Sequence, residues 1–297
     1  MTYSIVARDP QTGALGAAVQ SHWFSVGSVV TWAESGVGAI ATQAFAEVSY
    51  GPLGLELLRG GKTPEQVLAA LTSVDEARDR RQVAVLAASG EVATHTGTAT
   101  IADAGHLVGD GVSVQANMMR RDTVPQAMLD AWLASDGPLP LRLLAALDAA
   151  EAEGGDIRGM QSASMLIVAE EPSGRPWADR LLDLRVEDHA RPLQELRRLV
   201  ELHAAYERMG TADELLVTDG VDAAAAAYAQ AREAVPTNTE MSFWHGLMLA
   251  EQGELAGARE ALALARGEHD GWGELLRRLP AAGLLADDLV EPLLRPR

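Results

Sequence analysis

The chain has 297 residues, of which 47% are hydrophobic, so it is long enough for one large or two ordinary domains with a sizeable core. It contains no cysteine, which excludes disulfides, thiolate metal sites and cysteine nucleophiles, and its net charge of −18 disfavours nucleic acid and anionic membranes as partners. No apolar run is long enough to span a bilayer, and no early charged-then-apolar segment is typical of a signal peptide. We therefore predict a cytoplasmic protein with no membrane partner and no nucleic-acid partner.

The N-terminal part of the chain is predicted to consist mainly of β-strands. The first two strands cover 2–9 and 13–20 and are joined by a turn that contains Pro10 and Gly13. Thr63 is predicted to cap a helix that ends near 72, because Gln66 stands at the capping-box position. The other elements expected here are strands over 29–32, 37–43, 81–88, 91–96 and 112–118, and a helix over 50–59.

The middle of the chain alternates between helices and strands. Helices are predicted over 123–134 and 139–153, strands over 162–170 and 181–186, and an amphipathic helix over 192–209. This succession favours an α+β fold in which a two-sheet core is covered by helices on both faces. We place this first domain at 1–209.

The remaining segment, 210–297, is predicted to be a small all-α helical domain. Small or apolar residues recur there with a spacing of 34, in the pairs Ala224 and Ala258, Tyr228 and Leu262, and Ala231 and Ala265. Gly246 and Gly253 are expected to let paired helices approach closely. The segment resembles tetratricopeptide repeats, which implies a protein partner, and the alternative is an alanine-rich helical hairpin with no repeat function.

Thr2 is the most informative residue, because it follows Met1 directly and opens the first strand. If Met1 is removed, Thr2 carries both a hydroxyl nucleophile and a free α-amine that can act as its base. An α-amine titrates at about 7.7–8.0, so much of it is unprotonated near neutral pH. The alternative is that Thr2 is a small second residue that favours a strand for structural reasons alone.

Several long segments in a fixed order carry a family resemblance. They read TYSIVARDPQTGALGAAVQSHWFSVGSVV, GVGAIATQA, SYGPLGLELL, HTG, VQANMM, GGDIRGMQSA and DLRVEDH. Together they resemble the uncharacterised family called domain of unknown function ten-twenty-eight, over about residues 2–205. That family is grouped with the N-terminal-nucleophile (Ntn) hydrolases, so the resemblance implies a four-layer αββα sandwich. It implies no substrate, because the family has no settled activity.

Polar residues at predicted strand ends are the candidates for the site around Thr2. Ser21 and Gln43 end strands that are expected to lie near the nucleophile, and Asn117 carries a neutral amide that suits an oxyanion donor. We assign these three residues to catalysis together with Thr2. His22 and Thr42 are assigned to substrate binding, with a structural role at a strand end as the alternative for each.

The glycine-rich loop from 154 to 163 supplies the other candidates. Arg158 could clamp a substrate carboxylate through its guanidinium, or it could pair with Asp156 and fix the loop. Gln161 and Ser162 are expected near the site as substrate-binding residues. Adjacent ligands such as Asp188 and His189 rarely point the same way, so we predict neither a metal site nor a cofactor.

These observations leave three hypotheses for function. In the first, Thr2 acts after removal of Met1 in an amidohydrolase that cleaves a small amide or a related C–N bond. In the second, the fold is a non-catalytic scaffold and the C-terminal helices bind a protein partner. In the third, Ser21 or Ser162 is an internal nucleophile, although no nucleophile-elbow pattern supports this. The oligomeric state stays open, with a homodimer through a helical face suggested by analogy.

Overall fold

The computed structural model describes residues 2–295, and the chain divides into two compact units, Met1–Leu199 and Val200–Arg297. Among the described residues, no helix combines the length and the apolar character needed to cross a lipid bilayer. The α+β class predicted from the sequence is confirmed. Residues 2–295 contain two antiparallel sheets, ten α-helices and a helical C-terminal region.

The first unit contains all ten strands that the described residues form. In chain order they are β1 Thr2–Arg8, β2 Leu15–Ser21, β3 Thr31–Glu34, β4 Gly38–Ala44, β5 Arg81–Ala87, β6 Val92–Thr96, β7 Gly105–Gly109, β8 Val112–Asn117, β9 Ser162–Val168 and β10 Arg180–Val186. Sheet A has the order β10-β9-β2-β1-β8-β7, and sheet B has the order β3-β4-β5-β6. Strand β1 is therefore central in sheet A, where it pairs with β2 and β8.

The inner faces of the two sheets pack against each other and form one apolar core. Because side chains alternate along a strand, every second residue of β1, β2, β4 and β5 points into this space. The core joins side chains of both sheets, namely Val6, Leu15, Ala17 and Val19 of sheet A and Ala39, Ala41, Ala84 and Leu86 of sheet B. The inner faces are apolar at these residues. They become polar at the start of β1 and near the ends of β2, β4 and β8, and the candidate site lies there.

Helices cover the outer faces of both sheets. Helices α1 Tyr50–Arg59 and α2 Pro64–Ser73 pack on sheet B, where Ile40, Val83 and Val85 meet their apolar sides. Helices α3 Val124–Ala134 and α4 Leu139–Ala152 pack on sheet A. The contact is close, because a Cβ on Gly16 would lie 2.8 Å from the Leu143 side chain.

The sequence predicted most of these elements and missed a few features. The capping box of Thr63 and Gln66 is present at the start of α2. Strand β7 was not predicted, because it is only five residues long, is bounded by glycines and is only partly buried. Helix α5 runs over Pro192–Thr218 rather than ending at 209, because a single glycine inside a helix costs only about 1 kcal/mol.

The second unit contains the helices α6 Val221–Ala234, α7 Thr239–Glu251, α8 Leu255–Glu268, α9 Gly271–Arg278 and α10 Asp287–Leu294. Helices α6 and α8 begin with the 34-residue spacing found in the sequence, and all six residues of the recurring pairs are buried. Gly246 permits close packing, since a Cβ there would lie 2.9 Å from Leu262. Gly253 has a different role from the one predicted. It lies in the turn before α8 with φ of +82°, and no atom stands near its Cβ position.

Candidate active site

Thr2 begins the central strand β1 and is buried, with only 5% of its surface exposed. The strand register places Thr2 directly opposite Ser21 at the end of β2 and opposite Asn117 at the end of β8. Its side chain shares the inner face of sheet A with Ser4 and Val6 by strand alternation. Thr2 thus stands at the polar end of the space between the two sheets. Met1, whose removal the catalytic hypothesis requires, lies outside the described residues.

Three of the predicted catalytic residues contact Thr2. The Thr2 hydroxyl Oγ1 lies 3.0 Å from the Ser21 hydroxyl. The Thr2 main-chain carbonyl accepts hydrogen bonds from Gln43 Nε2 at 3.4 Å and from Asn117 Nδ2 at 3.3 Å. Gln43 comes from sheet B, so both sheets hold Thr2. The structure therefore brings together the four residues assigned to catalysis, with the two amides directed at the carbonyl of Thr2.

Gln82, at the start of β5, organises these two amides and was not found in the sequence. Its Oε1 accepts hydrogen bonds from Gln43 Nε2 at 2.7 Å and from Asn117 Nδ2 at 2.9 Å. Its Nε2 donates to the Ala116 carbonyl at 3.0 Å and to Thr96 Oγ1 at 2.9 Å. The bonds that Gln82 makes to Gln43, Asn117 and Ala116 are buried, and they fix the nitrogen of each amide on the side of Thr2. The available signal was a glutamine directly before the apolar run 83–87 of β5.

The hydrogen-bond network continues between the sheets beyond Gln82. Ser4 Oγ donates to Gln43 Oε1 at 2.7 Å, and Gln115 Nε2 donates to Ser4 Oγ at 2.6 Å. At its outer end, Thr96 Oγ1 lies 2.8 Å from Nδ1 of His106. Burial lowers the pKa of His106, and the neighbouring His95 lowers that pKa further, so His106 is neutral at neutral pH. The network around Thr2 is therefore built from neutral groups.

A cavity of about 450 Å³ opens above Thr2. Thr2, Ser21, Gln43 and Asn117 all line it and provide its uncharged polar groups, two arginines also line it, and the rest of its lining is apolar. This volume is within the usual range for small-molecule sites, which are mostly apolar with a few placed polar groups. The cavity therefore gives a small molecule access to Thr2.

Two residues with unusual backbone geometry flank the site. Ala44 has φ of 70° and Met118 has φ of 62°, although neither is a glycine. They directly follow Gln43 and Asn117, and both line the cavity. The left-handed conformation costs a non-glycine residue about 1–3 kcal/mol and is concentrated at functional sites. The strain coincides with the two amides at this end of the sheets, where the candidate site lies.

Arg158 lines the cavity and forms an ion pair with Asp156, in which the Asp156 side chain is buried and the Arg158 side chain is 35% exposed. The Asp156 carboxylate is fully buried and accepts from Arg158 Nε at 3.3 Å, from Arg158 Nη2 at 3.2 Å and from the main-chain nitrogen of His22 at 3.2 Å. Of the two roles open to Arg158, the structure thus contains the pair that fixes the loop. The same pair ties this loop to the end of β2, next to Ser21.

The other four predicted substrate-binding residues are not among those that line the cavity, in the part of the chain that the structure describes. Thr42 lies on the opposite face of β4 from Gln43, and its hydroxyl donates to the Glu47 carbonyl at 3.1 Å. His22 directly follows Ser21, and strand alternation directs its side chain away from the inner face. Gln161 donates to Asp188 at 3.1 Å, and Ser162 Oγ accepts from the Val26 main chain at 3.1 Å. Thr42, Gln161 and Ser162 therefore make contacts that hold neighbouring segments in place.

Arg81 is the second arginine of the cavity lining and is held by an acidic cluster. Its Nε donates to Asp75 Oδ2 at 2.8 Å, its Nη1 donates to the Phe45 carbonyl at 2.6 Å, and Glu47 lies 3.5 Å away. Tyr50 also donates to Asp75, at 2.8 Å. Hydrogen bonding to the Arg81 guanidinium lowers the pKa of Asp75 to about 2. Burial, followed by the bond to Asp75, raises the pKa of Tyr50.

Asp75→Asn is expected to destabilise the protein by about 2 kcal/mol at neutral pH. The folded-state pKa of Asp75 is about 2, below the usual value of 3.8, so its ionised form stabilises the fold above pH 3.8. This contribution is lost as the pH falls from about 4 towards 2. Urea unfolding of both proteins at several pH values measures the difference. The exposed Asp110→Asn is the control, and a difference for Asp75→Asn that stays constant down to pH 2 would contradict the prediction.

Comparison with known proteins identifies the family of the chain. A family model described as a family of unknown function (DUF1028) matches residues 2–196. The chain belongs to the DUF1028 family. The resemblance inferred from the sequence is thereby confirmed, and the match includes every residue assigned to the site. The C-terminal helices α6–α10 lie outside the matched range.

A solved structure of the same family is similar to this chain. The crystal structure of protein SPO2555 from Silicibacter pomeroyi, whose description gives the same DUF1028 family, is 34% identical in sequence, with a TM-score of 0.61. The similarity covers 67% of this chain and 88% of that chain. No match was found among the curated proteins. DUF1028 membership thus gives a family and a fold relative, and the chemistry has to be argued from the site.

Proposed function

We propose that this DUF1028 protein is an Ntn hydrolase that cleaves an amide or a related C–N bond with Thr2 as its nucleophile. The observation that carries the proposal is the position of Thr2, which begins the central strand and lines the cavity. Its hydroxyl is hydrogen-bonded to Ser21, and its carbonyl accepts from Gln43 and Asn117. Two face-to-face sheets with helices on both outer faces support the assignment of an αββα sandwich. The strained residues Ala44 and Met118 beside Thr2 support a functional site.

The proposed mechanism uses the two functional groups of Thr2. After removal of Met1, the α-amine takes the proton from Oγ1 as the oxygen attacks the substrate carbonyl. The resulting ammonium then protonates the leaving amine, and the C–N bond breaks to give an ester with Thr2. Water attacks this ester with the amine again as base, which releases the acid and restores the hydroxyl. A group with a pKa of about 7.7–8.0 is well matched to both roles near neutral pH.

The neighbouring residues have positioning roles in this mechanism. Gln43 and Asn117 hold the Thr2 carbonyl, and this fixes the orientation of the residue that carries both reacting groups. Ser21 bonds to Oγ1 and orients the hydroxyl. The two hydrogens of the Asn117 amide are directed at Thr2 O and Gln82 Oε1. An oxyanion would have to displace one of these acceptors, so we assign Asn117 to positioning rather than to the oxyanion role expected from the sequence.

Intact mass spectrometry of the protein purified from its native host tests the first requirement. We expect a mass that lacks one methionine, because the mechanism needs the free amine of Thr2. A screen of simple amide substrates with the same preparation then measures turnover. Retention of Met1 would keep the Thr2 nitrogen in a peptide bond and remove the base. The function would then be the alternative, a non-catalytic scaffold whose C-terminal helices bind a protein partner.

A further inference from the structure

We propose that the substrate carries an uncharged, apolar acyl group that fills the cavity above Thr2. This inference rests on the proposed hydrolase function and adds the chemical class of its substrate. The first evidence is the wall of the cavity, where apolar side chains come from three separate segments of the chain. They are Val26, Val29 and Val30 before β3, Phe45 and Val48 after β4, and Ile101 before β7.

The second evidence is the state of the charged groups in the lining. Arg158 is paired with the buried Asp156, and Arg81 is paired with Asp75 and Glu47 and also donates to the Phe45 carbonyl. A substrate carboxylate would have to compete with these partners for either guanidinium. Within residues 2–295, no aspartate, glutamate or lysine lines the cavity, so a substrate cation finds no counter-charge. Burial of an unpaired charge is costly, and the site therefore favours a neutral acyl group.

The third evidence is the size of the cavity and its apolar rim. A volume of about 450 Å³ holds a small acyl group with space beyond the scissile carbonyl. Two lining aromatic residues are largely exposed, with 62% of Trp23 and 54% of Phe45 accessible to solvent. Large apolar side chains exposed around a cavity are typical of ligand-binding sites. They extend the apolar surface outward, so longer acyl chains are expected to gain further contact.

The test compares p-nitroanilides of matched shape with the full-length protein. The neutral series is acetyl, butyryl and hexanoyl, and the charged analogues of the butyryl compound are succinyl and γ-aminobutyryl. We expect kcat/KM to rise about fourfold for each added methylene. Butyryl should exceed both charged analogues by roughly a hundredfold. A preference for succinyl or γ-aminobutyryl would overturn the apolar class and leave the hydrolase function standing.

A change of charge in the lining provides a second, independent readout. Ile101 lines the cavity and is 45% exposed, so Ile101→Lys adds an unpaired cation without disturbing the core. We expect this variant to reduce the preference for butyryl over succinyl about tenfold. The matched control is Val108→Lys, because Val108 is 48% exposed and is not among the residues that line the cavity. This variant should keep the preference of the unmodified protein for butyryl over succinyl. An unchanged preference in Ile101→Lys would count against an acyl group in this cavity.

Binding measurements separate the failure of this inference from the failure of the hydrolase proposal. Calorimetry with hexanamide and with succinamic acid needs no turnover. Suppose that no anilide is cleaved, that hexanamide binds at least tenfold more tightly than succinamic acid, and that Ile101→Lys reduces this difference in affinity. The apolar class is then supported and the hydrolase proposal is not. Equal or absent binding of the two compounds would overturn the apolar class.

Discussion

Thr2→Val is expected to remove amide hydrolysis while the protein remains folded. Valine has nearly the shape of threonine and lacks the hydroxyl, so the attacking atom is lost and the strand is kept. The loss in kcat should reach roughly four to six orders of magnitude, as for removal of other nucleophiles. The buried bond to Ser21 is also lost, which should cost about 1 kcal/mol of stability. Steady-state kinetics and urea unfolding of the same preparation measure both effects.

Two further variants make the Thr2 result specific. Thr2→Ser retains a hydroxyl and an α-amine and should keep measurable turnover. Ser21→Ala should also remain active, since Ser21 has a positioning role and is not the attacking group. Intact mass must show that Met1 is absent from each variant, so that every protein starts with the same free amine. Comparable turnover by Thr2→Val, or loss of all activity in Ser21→Ala alone, would contradict the mechanism and favour Ser21 as the nucleophile.

Gln82→Leu is expected to cause the largest loss of stability, about 4 kcal/mol. Leucine has a similar volume, but it leaves the amides of Gln43 and Asn117 without the acceptor that both use, and it removes one donor from the Ala116 carbonyl. Each buried polar group that loses its partner costs about 1–3 kcal/mol. Urea unfolding, analysed for both midpoint and slope, measures the change.

Controls distinguish the loss of this network from a general effect of the substitution. Gln11→Leu makes the same chemical change in an exposed turn and should alter stability by less than about 0.5 kcal/mol. Combining Gln82→Leu with Gln43→Leu should cost less than the sum of the two single changes, because the two amides share one hydrogen bond. Strict additivity, or a loss for Gln82→Leu no larger than that for Gln11→Leu, would show that Gln82 does not organise the site.

The position of a polar residue at or beside the end of a predicted strand was a good guide to the residues that contact Thr2. Ser21, Gln43 and Asn117 each lie at such a position, and all three contact Thr2. The same argument selected Thr42, which is adjacent to Gln43 but faces the helices. Alternation separates the two faces of a strand, but it does not say which face points to the other sheet.

Gln82 and Arg81 show what sequence reasoning could not reach. Gln82 bonds to Gln43, its partner on the neighbouring strand of sheet B, and to Asn117 of sheet A, across the gap between the two sheets. No local pattern in the sequence reports either partner. Arg81 was predicted only as the start of a strand, yet it lines the cavity and pairs with Asp75 from the segment before it. Both roles depend on the distance between separate segments, which only the packing of the sheets sets.

By itself, the sequence determined the α+β class, the family and the order of nearly all the strands and helices, and it singled out Thr2 as the candidate nucleophile, whose role stays a prediction. These properties follow from hydrophobic periodicity, turn residues and long collinear motifs, all of which are local in the chain. Only the tertiary structure decided which polar residues meet at Thr2, that Arg158 is paired with Asp156, and that the cavity wall is apolar. The physical reason is that a site is formed by side chains from distant segments, whose contacts are fixed by the pairing of strands and the packing of the two sheets.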